Sequence, residues 1–96
     1  MKRLPRYTKL FRRQYKKYDR TKHHAIDKID AVLQTLIRKQ TLPSHWRDHA
    51  LHGEWKGCRD CHIEGDWILI YELGVNADDQ ETITFHAMDN HENLFD

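Results

Sequence analysis

Ninety-six residues of 11.6 kDa suit one small domain and leave no room for a second core. With 39% hydrophobic and 32% charged residues the composition is polar but globular, which argues against a disordered chain, and no apolar run nears the about 20 residues of a membrane-crossing helix. The net charge of +1 conceals a split: residues 1–22 carry ten Lys or Arg against one acid, whereas residues 62–96 carry nine acids and no Lys or Arg, a pattern that points to a basic face for a polyanion or an acidic partner.

A short strand is expected at residues 2–6. Residues 8–20 predict a helix, with Phe11, Tyr15 and Tyr18 on one stripe, Arg12, Arg13, Lys16 and Lys17 largely off it, and Thr8 as N-cap. Residues 24–39 predict a second helix through Ile26, Ile29, Leu33, Leu36 and Ile37, ended by Leu42-Pro43. The two helices are expected to form an antiparallel hairpin broken near Arg20–His23. Residues 43–53 show no period and predict an ordered loop. The period then changes to two. Residues 55–63 and 66–73 predict strands joined by the tight turn Glu64-Gly65, and residues 81–87 a third strand after a polar loop. A short helical tail is expected at 89–95. This order predicts an α+β domain over residues 1–96, a helical hairpin on a small antiparallel sheet. The basic start is followed by no apolar segment, so no secretory signal is expected. Two cysteines without such a signal point to a reducing, cytoplasmic setting, with no disulfide framework and no membrane.

Three chemical readings compete for the central segment. Cys58-Arg59-Asp60-Cys61-His62 is the C-x-x-C-H pattern of covalent haem attachment. In a strand, however, Cys58, Asp60 and His62 face one way and Arg59, Cys61 and Ile63 the other, so the two thiols do not reach one porphyrin edge. A zinc site could draw on Cys58, Cys61, His62, His49 and His52, but no second pair completes the tetrahedral set. The neighbours His23 and His24 point in different directions. The third reading is acid–base chemistry. Asp60 and His62 share a strand face, Asp66 opens the partner strand, His49 lies in the loop leading in, and His91 in the tail. Imidazoles with reference pKa near 6.5 can donate or accept a proton at neutral pH, and Lys56 and Arg59 are nearby cations for a phosphate. Against this stands the bland alternative that these are solvent-facing residues of a half-exposed sheet.

The stretch from Asp48 to Tyr71 (DHALHGEWKGCRDCHIEGDWILIY) resembles the D-H-x-L-x-G-x-W-x-G-x-R-D-x-H-x-x-x-D-W-I-L-I-Y signature of YafQ-type toxins, in the RelE/ParE superfamily. His91-Glu92-Asn93-Leu94-Phe95 resembles the closing H-x-x-L-F, and the resemblance covers nearly the whole chain. It implies the toxin of a bacterial type II toxin–antitoxin pair: a ribosome-dependent endoribonuclease that cuts mRNA without a cofactor, blocks translation and is silenced by a cognate antitoxin. Carried over by position, the active site falls on His49, Asp60, His62, Asp66, His91 and Phe95. His62 and His91 are then the principal acid–base pair, and the two aspartates orient or tune the rings or one of them itself serves as base. His49 is a further acid–base or phosphate group, and Phe95 stacks on a base. Trp55 and Trp67 are expected to be packing residues. Two features depart from the family pattern. Where the family commonly carries an Arg and a Gly-Thr or Gly-Ser turn before the terminal His, this chain has Ala87-Met88-Asp89-Asn90. Phosphate must then be met by Lys56, Arg59, Arg47 or the basic helices. Cys58 and Cys61 stand where an aromatic and a small residue are more usual, and are expected as free thiols. The competing expectation is a non-catalytic module of the same fold, either a ParE-like topoisomerase inhibitor or a degenerate toxin that only binds antitoxin.

Overall fold

In the computed structural model, which describes residues 2–21 and 26–95 without the Phe95 side chain, the chain runs β1 (Leu4–Tyr7), α1 (Lys9–Arg20), α2 (Ile26–Ile37), β2 (His49–Ala50), β3 (Arg59–Glu64), β4 (Trp67–Val75), β5 (Glu81–Asn90) and α3 (His91–Phe95). Single 3-10 turns at Ser44–Trp46 and Gly53–Trp55 flank β2. The expected hairpin break at Arg20–His23 falls partly on residues 22–25, and with His23 and His24 lies outside the described residues.

The helices form for local reasons. Thr8 caps α1, its hydroxyl accepting from the Phe11 N–H at 3.0 Å. The apolar stripe of α2 is buried as its period predicts: Ile26, Ile29, Val32, Leu33, Leu36 and Ile37. Its end comes earlier than Leu42-Pro43. Lys39 takes a left-handed conformation (φ 61°), with Lys39 N–H donating to the Leu36 carbonyl and Gln40 N–H to that of Thr35. These bonds satisfy the last carbonyls of the helix in a Schellman motif.

The sheet order is β1-β5-β4-β3-β2. The four strands β2 to β5 are antiparallel, as alternation predicts, but β1 joins β5 in parallel, so the sheet is mixed. Alternation then divides the sheet into two faces. Cys61, Ile63, Trp67, Leu69, Tyr71, Ile83 and Phe85 form one core with the helices, where Phe85 stacks on Tyr7 (ring centroids 5.5 Å apart). Cys58, Ile68, Ile70 and Ala87 form a smaller cluster under Leu51, Trp55 and Leu94. Both cysteines are free and sit in different clusters, in keeping with their opposed directions. Trp67 packs edge-on against Tyr18 at 4.3 Å and Trp55 covers the smaller cluster, so both pack as expected. No helix among the described residues is long and apolar enough to cross a membrane.

Candidate active site

The two-residue strand β2 decides the geometry. Its register sets His49 opposite Asp60 on β3, and directly opposed residues of an antiparallel pair share a face. The exposed His49 ring therefore meets a carboxyl group that is only 1% exposed, with Nδ1 3.0 Å from Asp60 Oδ1. The same Nδ1 lies 2.7 Å from the Arg47 carbonyl oxygen. A proton on Nδ1 directed to that carbonyl leaves Asp60 Oδ1 with no aligned donor among the described residues.

His62 stands two residues along β3 on the same face. Its ring centroid is 6.3 Å from that of His49, and its Nδ1 is 3.4 Å from the Gly65 carbonyl oxygen. Gly65 occupies the left-handed region (φ 56°), which lets the chain reverse into β4. That turn also anchors His91, whose backbone N–H donates to the Asp66 carbonyl at 2.8 Å. Helix α3 thus starts beside the β3–β4 turn, with Asn90 as its cap through a 2.7 Å bond from the Asn93 N–H.

Electrostatics ties the set together. Burial pushes the Asp60 carboxyl above the usual carboxylate range, the imidazoles of His49, His62 and His91 pull it back down, and Asp48 adds to the rise. A proton on any of these rings stabilises the Asp60 carboxylate.

The candidates do not all converge. His49, Asp60, His62 and His91 do. Asp66 is exposed in the turn and joins through its backbone carbonyl. Arg47 is exposed and lines, with His62 and His45, a shallow cleft of about 330 Å³. Lys56 is exposed at the end of the 53–55 turn. Arg59 does not join. Its Nε donates to Asp48 Oδ1 at 3.1 Å, beside the Tyr71 hydroxyl, which donates to the same oxygen at 2.6 Å. The alternation that brings Asp60 and His62 together sends Arg59 to the other face, where it pairs with Asp48. The Phe95 side chain lies outside the described residues. Asp89, in the segment lacking the expected Arg, accepts from the Tyr18 hydroxyl at 3.0 Å and from the Asn93 amide at 3.0 Å, and so braces α3 against α1. His45 was not singled out by the sequence. It reaches the cleft only because the 44–46 turn folds beside the end of β3.

A family model for the YafQ toxin of bacterial type II toxin–antitoxin systems matches residues 3–96. The chain is 45% identical over 53 residues to the mRNA interferase toxin YafQ of Escherichia coli strain K12, a match covering 54% of this chain and 58% of that relative, so the aligned stretch spans less than two thirds of the relative's length. The crystal structure of YafQ from Escherichia coli BL21(DE3) matches over 98% of this chain and 99% of that one, with a TM-score of 0.84 and 33% identity. A crystal structure of the Escherichia coli DinJ–YafQ toxin–antitoxin complex matches over 100% of both chains, with a TM-score of 0.82 and 33% identity.

Proposed function

The chain belongs to the YafQ family of type II toxins, and from that premise we propose that it is an endoribonuclease that cleaves mRNA on the ribosome and is held inactive by a cognate antitoxin. The observation that carries the proposal is the buried Asp60 carboxyl, 3.0 Å from His49 and under the influence of the His62 and His91 rings. In this reading one imidazole takes the proton from a ribose 2′-OH, whose oxygen attacks the adjacent phosphorus. The bond to the 5′-oxygen breaks, the second imidazole protonates that oxygen, and a 2′,3′-cyclic phosphate remains. His62 and His91 make the two transfers, which side chains alone can perform. Asp60 and His49 orient the rings. Arg47 and Lys56 meet the charge that develops on the phosphate oxygens, and Phe95 stacks on a base. The exposed Arg12, Arg13, Lys16 and Lys17 of α1 supply a basic surface for ribosomal RNA, with binding that weakens steeply as salt rises.

The test is induced expression of the wild type beside His62→Ala and His91→Ala, reading growth and mapping mRNA 5′ ends. Wild type should arrest growth and create new ends, and both variants should do neither. Variants that arrest growth as well as wild type would remove the catalytic assignment. New ends that persist without the two rings would do the same.

A further inference from the structure

Outside the histidine cluster, a second set of chemically reactive side chains converges on the same face of the sheet. The Cys58 thiol, the Glu72 carboxylate and the His86 imidazole each present one ligand atom, and these atoms lie within 4.8 Å of one another. They come from three separate segments: the loop before β3, strand β4 and strand β5. We propose that Cys58, Glu72 and His86 bind a single Zn²⁺ ion, with the fourth position open to water.

Each ligand is placed by a backbone feature. His86 is the extra residue of a bulge: Tyr71 on β4 pairs with Phe85 and Ile70 with Ala87, which leaves His86 without a partner in the register. A bulge redirects the side chain it carries, and here His86 Nε2 comes 2.9 Å from Glu72 Oε1. Trp55 packs edge-on to the His86 ring, with centroids 6.3 Å apart. Cys58 is held at both ends of its peptide unit, its N–H donating to the Trp55 carbonyl at 2.9 Å and its own carbonyl accepting from Leu51 at 3.0 Å. Just before it, Gly57 adopts φ 94°, and a Cβ there would lie 4.0 Å from Glu72 Oε2. The loop thus passes directly over the carboxylate.

The donor set selects the ion. One thiolate, one imidazole and one carboxylate suit zinc, whereas magnesium and calcium prefer oxygen alone. Bonds of about 2.0–2.3 Å put tetrahedral ligands about 3.3–3.8 Å apart, so ligand atoms that lie within 4.8 Å of one another need shifts of only about 1 Å to close on an ion. On binding, the Cys58 sulfur exchanges its proton for the metal, and that proton leaves to solvent. His86 binds as the neutral ring and Glu72 as the carboxylate. The bound ion would join the loop over the 53–55 turn to β4 and β5.

The experiment uses the full chain, freed of metal with a chelator and titrated with Zn²⁺ alone against a chromophoric competitor. One ion per chain should bind, with release of about one proton per ion at neutral pH. Cys58→Ser and His86→Gln should each weaken binding at least about tenfold, since even ligand-supporting residues contribute about 10–100-fold. Cys61→Ser, altered on the opposite face, should bind as wild type. Co²⁺ in place of Zn²⁺ should give a thiolate charge-transfer band that Cys58→Ser abolishes. If Cys58→Ser fails to fold, His86→Gln, at a half-exposed position, carries the test. Absence of stoichiometric binding overturns the proposal. Binding that survives both variants but is lost in His62→Gln overturns it too, because the ion would then sit in the histidine cluster.

Discussion

The two faces of one sheet do different work. On the helix side, β3, β4 and β5 contribute Cys61, Leu69, Tyr71, Ile83 and Phe85 to an apolar core closed by α1 and α2. On the other side the buried apolar floor among the described residues is the smaller set Cys58, Ile68, Ile70 and Ala87, and an acidic group, Asp60, is buried beside it. The comparison teaches that stability and chemistry are separated by strand alternation: one residue of slip would exchange the two sets. Asp60 is the point of conflict, a buried acid that the fold tolerates because imidazoles from β2, β3 and α3 stand around it.

The sharpest break should come from the site face. His62→Ala or His91→Ala should lower the single-turnover rate of mRNA cleavage by about 10²–10⁴-fold, with a smaller loss in chemical denaturation than truncation of a core ring gives. A large loss of stability in either variant would merge the faces. Phe85→Ala should do the reverse. It removes a fully buried ring from between Tyr7 and Phe11 and should cost about 3–5 kcal/mol in urea unfolding.

Asp60→Asn probes the conflict itself. The folded state raises the carboxyl's pKa, so the folded protein holds the proton more tightly than the unfolded chain. The resulting stability is present below the unfolded value near 3.8 and is lost as pH rises through the folded value. The variant should therefore gain in Tm relative to wild type as pH rises from about 4 to neutrality, while losing cleavage activity. A Tm difference that is flat across that range would show that the imidazoles fully offset the burial. Tyr71→Phe is a milder change on the helix face. It deletes the bond to Asp48 and should cost about 1 kcal/mol. The smallest effect is expected from Arg47→Ala, which should reduce the slope of log affinity for RNA against log salt by about one charge, without changing unfolding.

Much of this was legible in the chain itself because it depends on neighbours a few residues apart. The α2 stripe, the Thr8 cap, the Gly65 turn and the opposed directions of Cys58 and Cys61 each follow from short periods and local hydrogen bonds. Even the place of Arg59 on the opposite face was implied by the alternation that set Asp60 and His62 side by side. What the amino-acid order could not decide were the long-range registers. These are the two-residue strand that sets His49 against Asp60, the parallel docking of β1 on β5, the bulge that turns His86 toward Glu72, and the bond from His91 back to Asp66. Each depends on segments far apart in the chain meeting across a shared core, and no local pattern encodes which residue will face which.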